Sequence, residues 1–186
     1  GHKWQGNVSS TILLKDVEYI EISGLELTND RETSKEDDGL NYNDANVMDR
    51  TGVAGVAKDK GTVDHIVLDD LYVHDVDGNV INKHMANGGI YFIVEKPTDE
   101  SVTGASKFND LTIENCSVVT TNRWGIAAAY TYAWAELNTA HLNADALEKY
   151  ASSNVVIQNN YIKAAGGDAI TTMYVDQPLV QYNVAE

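Results

Sequence analysis

The chain is short of cysteine, proline and positive charge, and each shortage excludes something. One cysteine, Cys116, rules out an internal disulfide. Its neighbours make it a small buried thiol rather than a nucleophile. Only Pro97 and Pro178 interrupt the backbone, so there is little to break strands. Thirteen Lys and Arg face 28 Asp and Glu, a net charge of −15, which argues against a nucleic acid or another polyanion as partner. No run of apolar residues is long enough to cross a membrane as a helix, and the opening GHKWQGNVSS carries no apolar leader. His and Cys are scattered without ligand spacing. The acidic run Glu36-Asp37-Asp38 lacks the alternating pattern of a calcium loop. No cofactor or metal is implied.

What is present is a repeat. Ser153 to Tyr174 shows it best. Val155 and Ile157 alternate with polar residues, Asn159-Asn160 breaks the alternation, Ile162 resumes it, and Gly166-Gly167 turns the chain before Asp168-Ala169-Ile170. The same two-three-two spacing picks out Ile20, Ile22, Leu25 and Leu27, then Ile66, Leu68, Leu71 and Val73, then Leu111, Ile113, Cys116 and Val118. The starts recur about every 45 residues, a period typical of stacked coils. Between the second and third member lies a corner whose last residue is Gly24, Asp70, Asn115 or Asn159, types that tolerate left-handed backbone. A second column follows: Gly89-Ile90-Tyr91-Phe92 matches Gly125-Ile126-Ala127-Ala128 and Ala169-Ile170-Thr171-Thr172.

These columns predict an all-β fold, a right-handed parallel β-helix with long inserted loops and one short helix. The loops are Asp30 to Asp64, His74 to Gly88, Pro97 to Asn109 and Tyr132 to Ser152. The last is the helical one, with Trp134, Leu137, His141, Ala144, Leu147 and Ala151 on one face, and it is expected to wall a groove. Residues 1–186 read as a single β-helix domain or a segment of a larger one. Pro178 to Val184 starts a further coil and leaves the C-terminal end open, to be capped by a second chain or domain.

Stacking places Gly88, Trp124 and Asp168 in one column and Asn87, Arg123 and Gly167 in the column before it. Tyr91 joins Ala127 and Thr171. Small residues beside large ones make a groove, and Trp124 and Tyr91 on its floor suit a pyranose face. Tyr130 and Tyr174 repeat at a fixed offset from the column isoleucines. Arg123, His84, Asn87 and Gln177 are candidates for binding sugar hydroxyls. The other reading of Trp124 and Tyr91 is core. Candidate catalytic carboxylates are Asp168, Asp77, Asp176 and Asp75. Strands stack about 4.8 Å apart, so acids one coil apart suit a retaining glycosidase and acids two coils apart an inverting one.

The runs VHDVDGNVINKHMANGGIYF, NRWGIAAAYTYAW and NNYIKAAGGDAITTMY, with PLVQYN, resemble secreted bacterial β-helix carbohydrate-active enzymes, in particular the family 136 glycoside hydrolases. The resemblance covers the chain from about Val17 onward. It implies a lacto-N-biosidase-like hydrolase that releases a disaccharide from a neutral oligosaccharide by a retaining mechanism with two Asp residues. Asp168 is the first choice for one, and Asp77 or Asp176 for the other. It also implies a secreted or cell-surface bacterial protein, with a second subunit or domain assisting folding. Two alternatives remain. One is a lyase on a uronate polymer, with Lys83, His84 or Arg123 as base and Asp75 and Asp77 around a metal. The other is a non-catalytic sugar-binding coil that needs a partner.

Overall fold

A computed structural model describes residues 9–30, 49–80, 87–138 and 143–186. Among them the chain visits three parallel sheets in a fixed order, five times over. The first coil is β1 (Ser9–Lys15), β2 (Ile20–Ser23) and β3 (Glu26–Asn29). The second is β4 (Arg50–Ala57), β5 (Thr62–Asp69) and β6 (Tyr72–Val76). The third is β7 (Gly88–Val94), the helical turn α1 (Glu100–Thr103), β8 (Lys107–Glu114) and β9 (Ser117–Thr121). The fourth is β10 (Trp124–Thr131), α2 (Trp134–Leu137), α3 (Ala144–Tyr150), β11 (Ser152–Gln158) and β12 (Tyr161–Ala165). The fifth is β13 (Ile170–Thr172), β14 (Val175–Asp176), β15 (Leu179–Gln181) and β16 (Val184–Ala185). Sheet A is β1-β4-β7-β10-β13, sheet B is β2-β5-β8-β11 with β14 and β15 on its edge, and sheet C is β3-β6-β9-β12-β16. This is an all-β, solenoid-like stack of parallel strands.

The apolar spacing is the cause. Ile20, Ile66, Leu111 and Val155 are register partners along sheet B. Their side chains face the space between the sheets, where Ile90, Phe92 and Ile126 of sheet A meet Val73, Val118 and Ile162 of sheet C. Phe92 and Phe108 meet edge to face at 5.3 Å. Each such side chain contributes about 1.5–3 kcal/mol on burial. The corner residues Gly24, Asp70, Asn115 and Asn159 all have positive φ, from 52° to 66°, as their types predict. The position after the corner is filled by Leu71, Cys116 and Asn160. Burial pushes the Cys116 thiol up to about 11, so it is inert at neutral pH. Asn160 fits that apolar slot by donating to the Ile113 carbonyl at 3.0 Å and accepting from the Cys116 amide at 2.9 Å.

The small residue ahead of each column isoleucine has a steric reason. A Cβ on Gly89 would lie 2.3 Å from Val118 Cγ1, and one on Gly52 equally close to Val73. Sheets A and C converge there, and at these two positions only hydrogen fits.

Several expectations need correction. The span Asp30 to Asp64 is not all loop, because β4 and the start of β5 lie within it, while residues 31–48 are outside the described residues. Nearly every residue of β4 is buried, so RTGVAGVA shows no alternation, and its small residues conceal it further. The first coil likewise begins earlier, at β1. Pro97 to Asn109 holds α1 and the start of β8, and β6 runs on to Val76. The expected single helix is two short ones. Leu137 is buried, Trp134 is exposed, α3 buries no residue, and His141 is outside the described residues. A salt bridge of 2.6 Å from Lys149 to Glu100 ties α3 to α1. Leu179, Val180, Tyr182 and Val184, in and between β15 and β16, are exposed.

Two further left-handed columns were not foreseen. Tyr19, His65, Asp110 and Asn154 form one in sheet B, and Asp75, Thr120 and Ala164 form one in sheet C, all with φ between 50° and 58°. Such backbone costs a non-glycine residue on the order of 1–3 kcal/mol and persists only where its surroundings fix it. Here the ladder bonds of the coils above and below do so.

Candidate functional site

Ile90 and Phe92 of β7 point into the core, so Tyr91 points out of it. Its register partners are Ala54 and Ala127, and beyond Ala127 comes Thr171. One large ring therefore lies among small side chains. Trp124 starts the strand above, directly over Gly88. Gly88 has φ +142°, and a Cβ there would lie 2.3 Å from the Trp124 carbonyl oxygen, so glycine lets this strand approach. Tyr91, Trp124, Ala54 and Ala127, with Ile93 and Met173 against them, form a second apolar cluster apart from the central core.

The rings do not stand open in a groove. Tyr91 is 0% exposed and Trp124 4%, which corrects the platform expectation. Their centroids are 6.4 Å apart at 45°. The Arg123 guanidinium lies over the Trp124 ring at 4.8 Å, an attraction to the ring face that strengthens out of water. Three buried donors have no acceptor among the described residues: Tyr91 Oη, Trp124 Nε1 and Arg123 Nε. Each such orphan costs about 1–3 kcal/mol, so native proteins seldom keep them without use. Burial raises the Tyr91 phenol well above its ordinary value, and the charges of Tyr130 and Asp49 raise it further. The hydroxyl is thus a neutral donor throughout the physiological range.

Asp49 is the residue that the sequence reading missed. It is fully buried at the head of β4. The signal was available: it lies two residues before the column of Thr51, Gly88 and Trp124, as Asn122 does. Without β4 recognised, that column had no second coil.

Among the predicted acids, Asp77 and Asp168 bracket the Asn122-Arg123-Trp124 segment, from the coil below and the coil above. Asn122 donates to the Asp77 carboxylate and, at 2.9 Å, to the Gly78 carbonyl. Asp168 is exposed, and its carbonyl accepts from the Gly125 amide at 3.0 Å. The other two acids lie elsewhere. Asp75 is exposed on sheet C with its carboxylate 2.7 Å from His74 Nδ1. Asp176 pairs with Ser153 in sheet B, on the polar stack of Asp64 and Asn109. Gln177, in the turn after β14, is exposed too, and away from the cluster. Tyr130 and Tyr174 meet edge to face at 6.2 Å. Asn87 is fully buried, donating to the Asn79 carbonyl and accepting from the Arg50 amide, which makes it a link between strands. His84 and Lys83 lie outside the described residues. Among the described residues no group of His, Cys, Asp and Glu could hold a metal.

Parallel coils with an aromatic cluster on one sheet place the protein in the class of solenoid-like, parallel all-β folds. The comparisons narrow this. The chain is 44% identical, over its whole length, to the lacto-N-biosidase of Bifidobacterium longum subsp. longum, of which it spans 13%. The crystal structures of the GH136 lacto-N-biosidase from Eubacterium ramulus, native and selenomethionine derivative, superpose with a TM-score of 0.90 at 43% identity. They match 99% of this chain and 29% of that one. No family model matches. In sequence and in fold the chain is similar to a segment of the GH136 lacto-N-biosidases, spanning less than a third of their length.

Proposed function

We propose that the chain acts as, or within, a glycoside hydrolase that releases a disaccharide from a neutral oligosaccharide, in the manner of a lacto-N-biosidase. The observation that carries this reading is the identity of 44% with the Bifidobacterium enzyme, extending over the whole chain. The orphan donors on Tyr91, Trp124 and Arg123 agree with it, because the hydroxyl, ring and glycosidic oxygens of a sugar can all accept a hydrogen bond. The fold fits a right-handed parallel β-helix, with sheet A as the floor of the site. A bacterial, secreted or cell-surface location is part of the same proposal.

In this reading one carboxyl protonates the glycosidic oxygen while the other attacks the anomeric carbon. Asp168 and Asp77 bracket Trp124 and are the first pair to test, with Asp49 as the buried alternative. The uronate lyase is not favoured by these relatives, and two of its candidate bases fall outside the described residues.

The test is disaccharide release from a milk-type neutral oligosaccharide by the protein and by Asp168→Asn, Asp77→Asn and Asp49→Asn. Loss of turnover with retained sugar binding in two of the three identifies the pair. Full turnover in all three overturns the assignment. Binding without any release by the parent protein leaves a sugar-binding coil.

A further inference from the structure

Sheets B and C, away from the aromatic cluster, carry two histidines in the same unusual setting. His65 on β5 has Nδ1 2.8 Å from Asp110 Oδ2 on β8 and Nε2 3.1 Å from Glu21 Oε1 on β2. His74 on β6 has Nδ1 2.7 Å from Asp75 Oδ2 and Nε2 3.0 Å from Glu26 Oε1 on β3. Both nitrogens of each ring therefore face a carboxylate. An ionised carboxylate only accepts, and a neutral imidazole has a single N–H. The neutral ring would leave one nitrogen lone pair against a negative oxygen. Only the doubly protonated ring satisfies both contacts.

We propose that His65 and His74 are acid-strengthened clamps between coils, the His65 imidazolium holding carboxylates on both neighbouring strands and the His74 imidazolium one on its own strand and one on the strand beside it, each releasing one carboxylate when it becomes neutral. The His65 clamp spans three successive coils, and the His74 clamp joins two. The charged groups acting on His65 are Asp110 and Glu21, and those on His74 are Asp75 and Glu26. Tyr19 beside His65, Tyr72 stacked on His74 at 4.3 Å, and Thr28 and Val119, the β3 and β9 partners of His74, are uncharged neighbours. In a chain of net charge −15, neutral rings would also leave Glu21, Asp110, Asp75 and Glu26 without these counter-charges.

The sign follows from linkage. The hydrogen bond to Asp110 first, then that to Glu21, raises the folded value of His65, and Asp75, then Glu26, does the same for His74. A raised folded value gives stability that is complete below the ordinary imidazole value of about 6.5 and is lost as pH rises through the folded value. Both rings are partly exposed, so salt weakens the effect.

Imidazole titration by NMR tests this directly on the protein and on Glu21→Gln, Asp110→Asn and Glu26→Gln, which alter exposed side chains and leave the core alone. Both histidines should titrate above the ordinary value. Glu21→Gln or Asp110→Asn should lower His65 and leave His74, and Glu26→Gln the reverse. Melting between about pH 5.5 and about pH 8.5 gives the second readout. The His65→Gln/His74→Gln double variant should lose part of the acid-side gain, a difference of about 2–4 °C in melting temperature. Titration of either ring at or below the ordinary value, or a double variant that keeps the parent's full pH dependence, overturns the proposal. Neither readout depends on turnover, so failure here is distinct from failure of the hydrolase reading.

Discussion

Tyr91 and Trp124 stand on adjacent strands of sheet A with ring centroids 6.4 Å apart, and the polar atom of each is buried without an acceptor among the described residues. The pair is apolar in its packing and unsatisfied in its hydrogen bonding. A structural core would be built with phenylalanine at these positions. In the proposed reading the donors are kept, at that cost, for an acceptor-bearing ligand.

That cost can be measured. Tyr91→Phe removes an unsatisfied hydroxyl and leaves the ring, so the variant should be no less stable than the parent in urea unfolding, and more stable by as much as about 1–3 kcal/mol. Its affinity for a neutral oligosaccharide should fall. A variant that is less stable and binds sugar as before would show that the hydroxyl serves the fold.

The convergence of sheets A and C makes Gly89 intolerant. Gly89→Ala would bring Cβ to 2.3 Å from Val118 Cγ1 and 2.8 Å from the Gly125 carbonyl oxygen. Overpacking of this kind costs about 1–3 kcal/mol. Gly24→Ala meets nothing within 4 Å, and only its φ of +66° opposes it, so about 1 kcal/mol is expected. Urea unfolding of the two variants should rank Gly89→Ala as the more damaging.

Asn160 occupies a slot that Leu71 fills in an earlier coil, which makes Asn160→Leu look conservative. The structure predicts otherwise. The change strands the Ile113 carbonyl and the Cys116 amide, both buried, as well as its bond to Asn183. A loss of about 2–4 kcal/mol in urea unfolding is expected. A smaller loss would mean that water or a shifted strand replaces the amide.

Cys116 should resist thiol reagents in the folded protein, since burial both hides the sulfur and pushes its ionisation up to about 11. Labelling should become fast only at denaturant concentrations that unfold the coils. Rapid labelling of the native protein at neutral pH would contradict the burial.

The repeat was legible because the core enforces it. Ile20, Ile66, Leu111 and Val155 must each turn inward at the same place in a coil, so the spacing is written into the sequence and the observed register reproduces it. The Asn and Gly corners were legible for a similar reason, since left-handed backbone selects those types. The columns through His65 and Thr120 were not, because Tyr19, Thr120 and Ala164, types with no preference for that backbone, interrupt the Asp, Asn and His in them.

Periodicity and corner chemistry thus determined the all-β coil stack and the alignment of Gly88, Trp124 and Asp168. Only the tertiary structure decided which faces are closed. It buried Tyr91 and Trp124, supplied Asp49 from a strand with no alternation to betray it, and separated Asp75 and Asp176 from Asp77 and Asp168. The physical reason is that a strand's sequence records which residues face the core. Whether the opposite face meets solvent or packing depends on segments distant in the chain.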